Sequence, residues 1–128
     1  MKTIIISALA LCFSIVTLHA ETSNVLSTNF QQSTFKVKVS PFCVSIVKGD
    51  LQIVKKLVEL GVDVNQKSEG MTPVMYAAKY NRIDILKLLI ANGADLKAKS
   101  GKGMTAVKYA ELHKANDAKA ILEEAMKK

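Results

Sequence analysis

The sequence predicts a short all-α solenoid: about three helix-turn-helix repeats with hairpin-like turn tips, preceded by a signal peptide. Three observations predict it. The segment Gly70-Met-Thr-Pro-Val-Met-Tyr-Ala-Ala78 returns thirty-three residues later as Gly103-Met-Thr-Ala-Val-Lys-Tyr-Ala-Glu111, a fixed period of the length that marks stacked repeats. Within each unit, apolar residues recur at helical spacing after a Ser/Thr start, and in the first two units a glycine stop follows. The mostly apolar run from Ile4 to Leu18 gives way to polar sequence at Glu21. Each unit of such a stack touches only its neighbours, so the product is an extended surface and not a closed pocket, which points to a binder before an enzyme.

Residues 1–20 form the first element. Met1-Lys2 is a minimal charged start, and the apolar run of about fifteen residues, with Ser7, Ser14 and Thr17 inside it, suits a signal peptide cut after Ala20. An uncleaved anchor is the alternative, but a span needs roughly twenty apolar residues. Acylation of Cys12 is disfavoured because Leu11 stands where a small residue is needed. The expected mature chain is therefore exported, periplasmic or secreted. It has 108 residues with 17 basic against 11 acidic side chains, a formal charge of +6. Cys43 is then its only cysteine, so packing alone must hold the domain. Cys43 reads as a small buried hydrophobe, with a reactive or intermolecular thiol as the alternative.

Residues 21–38 are a polar extension rich in Ser, Thr, Asn and Gln, too poor in apolar residues to bury much by itself. Within it begins Phe35-Lys36-Val37-Lys38-Val39, whose period of two suits a short extended segment. The repeat domain covers 39–128, with units at about 39–69, 70–102 and 103–128. In the first unit, Ser40-Pro41 starts a helix that Gly49 ends, since the hydroxyl caps a free amide and proline is tolerated at the first helical position. A second helix from about Leu51 to Leu60 carries Ile53, Val54, Leu57 and Val58 on one apolar stripe before Gly61.

The second unit starts at Thr72-Pro73, with Val74, Ala77 and Ala78 in its first helix. Ile85, Leu86, Leu88, Leu89 and Ile90 follow in its second helix, before Gly93. The two alanines leave room for neighbouring helices to approach. The third unit keeps Thr105, Val107, Tyr109 and Ala110 and sets Ile121 and Leu122 where Leu88 and Leu89 stood. It replaces Pro73 by Ala106, Ala78 by Glu111 and Leu86 by Lys119, the polar outer face that a terminal repeat needs.

Thr72-Pro73-Val74-Met75-Tyr76-Ala77-Ala78 and Leu88-Leu89-Ile90-Ala91-Asn92-Gly93-Ala94-Asp95 make the middle unit resemble an ankyrin repeat, and the resemblance spans Val39 to Lys128. Cys43, Met75 and Lys108 stand where that family favours a histidine, and Lys97 stands where Asn65 keeps the family asparagine. The resemblance implies antiparallel helix pairs whose tips and first-helix face grip a partner. By position, that surface contains Tyr76, Lys79 and Tyr80 in the second unit, and Tyr109, Leu112 and His113 in the third. The tips add Lys67, Glu69, Met71, Lys99, Lys102 and Met104. Tyr76 and Tyr109 recur at one repeat position, so packing between units and contact with a partner are equally open readings for them.

Catalysis needs a nucleophile with a base, or a metal cluster, and His113 is the only histidine after the leader. No catalytic, cofactor or metal residues are assigned. The tract Lys99-Ser-Gly-Lys-Gly-Met-Thr105 departs from a phosphate loop, because Gly103 follows Lys102 in place of Ser or Thr. The expected function is non-enzymatic binding of another protein outside the cytoplasm by a chain that is monomeric on its own, with no nucleic-acid partner. The alternative is a cationic adaptor on an anionic envelope surface, lipid or polysaccharide, peripheral and not integral. Lys97, Lys99, Lys102 and Lys108, with Lys67 and Lys79, would form its edge, or else serve only solubility.

Overall fold

The computed structural model describes residues 38–128. The leader, Cys12, its cleavage site and most of the polar extension lie outside the described residues. Of the alternating segment only Lys38 and Val39 fall inside, and they form a bend leading into Ser40.

The described residues form six helices: α1 (Pro41–Lys48), α2 (Leu51–Glu59), α3 (Pro73–Lys79), α4 (Ile83–Ala91), α5 (Ala106–Leu112) and α6 (Asn116–Lys127). Side-chain caps mark the starts of α1, α2 and α5. Ser40 Oγ accepts from Cys43 N at 3.3 Å, Asp50 Oδ1 from Ile53 N at 3.2 Å and Thr105 Oγ1 from Lys108 N at 3.4 Å, each satisfying an amide that the helix leaves free. The break between paired helices recurs as one left-handed residue per unit, Gly49 (φ 76), Asn81 (φ 52) and Lys114 (φ 55). Gly49 has a second reason to be glycine, because a Cβ there would press the Arg82 guanidinium at 3.3 Å.

The first helices α1, α3 and α5 pack side by side in one layer, and the second helices α2, α4 and α6 in another, so equivalent units follow one another by translation. Position-by-position burial shows which way each face looks. Ile53, Ile85 and Ala118 are equivalent and look back along the stack: Ile53 is 48% exposed while Ile85 is 2% exposed. Val54, Leu86 and Lys119 look forward, buried in the first two units and half-buried in the last. The sequence placed Ile53 on the buried stripe of α2; it is exposed because no described element stands behind it. Of that stripe only Val54 is fully buried, with Leu57 and Val58 half-buried.

Forward-looking Cys43, Ile46 and Val54 of the first unit and Met75, Ala78 and Leu86 of the second are all buried. Their third-unit counterparts from the second set are Lys108, Glu111 and Lys119. These three pair with one another, Glu111 meeting Lys108 at 3.3 Å and Lys119 at 4.0 Å. The third unit thus presents an ion-paired face where the first two present apolar ones. Such exposed pairs contribute little to stability, so their value is in keeping an apolar slab out of water.

Polar ties cross from unit to unit. Asn65 donates from Nδ2 to Gly93 O at 3.1 Å and accepts at Oδ1 from Asp95 N at 2.8 Å. Arg82 donates twice to Val47 O, at 3.0 Å from Nε and 2.6 Å from Nη2. Asn81 Oδ1 accepts from Ala118 N at 3.2 Å. In the family's histidine position, Met75 Sδ accepts from Thr72 N at 3.3 Å, a weak acceptor doing part of what a ring nitrogen would do. The Thr72 hydroxyl is left buried without a partner.

Candidate partner-binding surface

Two turn tips project between the helix pairs, and both are rigidly bonded. In the first, Ser68 and Met71 exchange backbone bonds at 2.9 and 3.1 Å around Glu69 (φ 50) and Gly70 (φ 77), the paired positive angles of a hairpin turn. In the second, Ser100 N donates to Met104 O and Gly103 N to Ser100 O, both at 2.9 Å. Gly101 N donates to Gly70 O at 2.9 Å, locking one tip to the next.

Tyr76 and Tyr109 belong to this support and not to the outer face. They are 6% and 5% exposed, and their hydroxyls donate to the tips: Tyr76 to Ser68 O at 2.9 Å and Tyr109 to Ser100 Oγ at 3.0 Å. The assignment of these two as partner contacts is corrected on that ground, since a side chain buried against its own tip has little area left for a partner. Burial, helped by the neighbouring Cys43, Glu69 and Tyr80, pushes the Tyr76 hydroxyl above its ordinary pKa. Ser68 and Ser100 were missed in the sequence. Both are buried, and the Ser68 hydroxyl also accepts from Ser40 N at 2.7 Å, joining the first unit to the first tip. Their recurrence at one tip position was the signal available.

The remaining named residues reach solvent. Lys67, Glu69, Lys99 and Lys102 are exposed on the tips, with Met71 and Met104 half-buried at equivalent tip bases. Tyr80 is 42% exposed where α3 ends, with Lys79 Nζ 5.4 Å from its ring centroid. Leu112 is 56% exposed and His113 is exposed where α5 ends. Lys79, Tyr80, Leu112 and His113 thus occupy corresponding positions of adjacent first helices.

This surface offers contact area and charge. Among the described residues no three of His, Cys, Asp and Glu come together as metal ligands. Cys43 is fully buried, and burial raises its thiol pKa against the opposing hydrogen bonds of Ser40 and Ser68, which makes it a poor nucleophile. The glycine-lysine tract turns its amides inward: Lys102 N and Met104 N both donate to Ser100 Oγ, at 3.2 and 3.3 Å, and the amides of Ser100, Gly101 and Gly103 are bonded to backbone carbonyls. No cradle of free amides remains there for a phosphate. No helix among the described residues is long and apolar enough to cross a membrane.

Comparison with known proteins agrees with this architecture. The family model described as ankyrin repeats (3 copies) matches residues 12–100 and, in an overlapping placement, 42–128. A Caenorhabditis elegans protein, Dauer abnormal formation protein 25, is 34% identical over 86 residues, 66% of this chain and 22% of that protein. Putative ankyrin repeat proteins of Borreliella burgdorferi and Rickettsia bellii are 36% and 34% identical over 63 and 85 residues. These matches cover 48% and 61% of this chain, and 29% and 51% of those proteins. The chain therefore spans about half or less of the length of these relatives. Ankyrin repeats generally mediate protein–protein interaction and are typically non-enzymatic. With its repeat period, its two helix layers and its bonded tips, the chain belongs to the ankyrin-repeat family.

Proposed function

We propose that this domain works outside the cytoplasm as a non-enzymatic module that captures one partner protein. The tips supply Lys67, Glu69, Met71, Lys99, Lys102 and Met104, and the first-helix ends supply Lys79, Tyr80, Leu112 and His113. The observation that carries the reading is the exposure of Tyr80 and Leu112 at the C-terminal ends of adjacent first helices, whose N-terminal ends are fed by tips that are already ordered. A large amphipathic ring and an aliphatic side chain on a rigid frame give contact area at little entropic cost. The signal-peptide grammar of residues 1–20 supports the compartment.

The test is site-directed photocrosslinking in intact cells, with benzoylphenylalanine in place of Tyr80 and, as a control, in place of Leu60 at the end of α2 in the other layer. The expected outcome is a discrete protein adduct from position 80 and none from position 60, on a chain whose mature end is Glu21. Equal labelling from both positions, or no protein adduct from position 80, refutes the surface. A chain retained in the cytoplasm refutes the compartment.

A further inference from the structure

The lysines of this basic chain divide into those with an internal use and those without one. Lys108 and Lys119 pair with Glu111, Lys127 pairs with Glu124 at 3.6 Å, and Lys79 lies over the Tyr80 ring. Other lysines, such as Lys48, Lys55 and Lys87, form no ion pair among the described residues either, but the second tip gathers three of them with no acid between them. Between Leu96 and Thr105 stand Lys97, Lys99 and Lys102 and no acidic residue. All three are exposed, and none forms an ion pair among the described residues. The nearest carboxylate in sequence, Asp95, accepts the backbone amide of Lys97 at 3.0 Å through Oδ1. The loop that carries these ammonium groups is held by Ser100, by the Tyr109 hydroxyl and by the bond from Gly101 to Gly70, so their stems leave a fixed frame.

We infer that this tip is the charge-reading part of the partner surface and that its partner presents an acidic polypeptide segment, with Asp or Glu set among apolar side chains. The inference rests on the protein-binding reading above. Because the amides from Ser100 to Met104 are spent internally, an anion is met there chiefly by three separate flexible ammoniums, which suits carboxylates spread along a chain better than one compact phosphate. The half-buried Met104 at the base of the tip and the exposed Leu112 and Tyr80 beyond it supply apolar footing for the side chains between the carboxylates. Exposed charge of this kind acts chiefly on association rate and is screened by salt.

The test combines the position-80 crosslinker in the full chain with Lys97→Gln, Lys99→Gln and Lys102→Gln together. All three side chains are exposed, so the circular-dichroism melt should match that of the parent. The protein adduct should fall about tenfold or more in the triple variant and recover when the same three positions carry Arg. Raising salt from about 0.05 to 0.5 M should weaken the parent adduct and scarcely change that of the variant. The crosslinked partner peptide should carry excess Asp and Glu. An undiminished adduct in the triple variant overturns the inference and leaves the protein-binding reading standing; absence of adduct from every chain overturns both. Phosphatidylcholine vesicles with about one third phosphatidylglycerol should not retain the chain, and retention abolished by the same three substitutions would assign the lysines to lipid instead.

Discussion

Ile53 and Ile85 are the same residue at the same repeat position, one on α2 and the other on α4, yet one stands half in water and the other is sealed. The difference is that, among the described second helices, α4 has α2 behind it and α6 ahead of it, whereas α2 has α4 alone. In a stack, burial is a property of having neighbours. A motif confers the capacity to be buried, and the adjoining unit realises it. The first and third units handle this in different ways. The third carries the paired Lys108, Glu111 and Lys119. Among the described residues, the first unit instead borders a hollow of about 540 Å³ that mixes apolar Phe42, Leu57 and Val62 with polar side chains such as Lys67 and Glu69.

The largest expected effect sharpens this comparison directly. Ile85→Ala should cost roughly 2–5 kcal/mol in equilibrium denaturation, as should Leu89→Ala, because both leave a cavity in a packed core. Ile53→Ala should cost about 0.5 kcal/mol or less, the scale of a surface change. Equal costs for the two isoleucines would break the comparison. Next in size, Asn65→Ala strands Gly93 O and Asp95 N between units and should lower stability by about 1 kcal/mol. Its effect should appear in hydrogen exchange as loosened coupling between the first two units.

The break positions give a smaller effect of opposite sign. Gly49 and Asn81 adopt a left-handed backbone at little cost and Lys114 does so under strain, so Lys114→Gly should stabilise by roughly 0.5–1 kcal/mol in the same denaturation assay. The smallest effect at neutral pH concerns Cys43. Its thiol pKa is raised in the folded chain by burial, so the native state keeps a proton that the unfolded chain releases first. That contribution is fully present below the ordinary thiol value of 9.0 and is lost as pH rises through the folded value. Cys43→Ala should therefore show a flatter decline of stability above about pH 9, with no change of slope near pH 7.

Much of the architecture was legible because it depends on short-range chemistry. Ser40-Pro41 and Gly49 bracket α1 as their capping preferences require, Thr72-Pro73 and Thr105 precede α3 and α5, and Glu69-Gly70 make the first tip. The third unit's departures at Glu111 and Lys119 were readable as an end face, although their mutual pairing was not. The surface was less legible. Tyr76 and Tyr109 recur as contact residues would and equally as core residues would, and only the tip folding back over them decides for the core. Ser68 and Ser100 look like ordinary turn residues until their hydroxyls are seen taking bonds from elsewhere in the stack, Ser68 from Ser40 N twenty-eight residues away.

By itself the sequence determined the period, the capped helix starts and the identity of each repeat position, since caps, left-handed breaks and apolar spacing act within a few residues of chain. Tertiary structure alone decided which equivalent residues are sealed and which are wet, and which lysines are drawn into ion pairs with neighbouring helices. Those outcomes depend on what lies across the interface between units, and a residue's own neighbourhood in the chain holds no record of that.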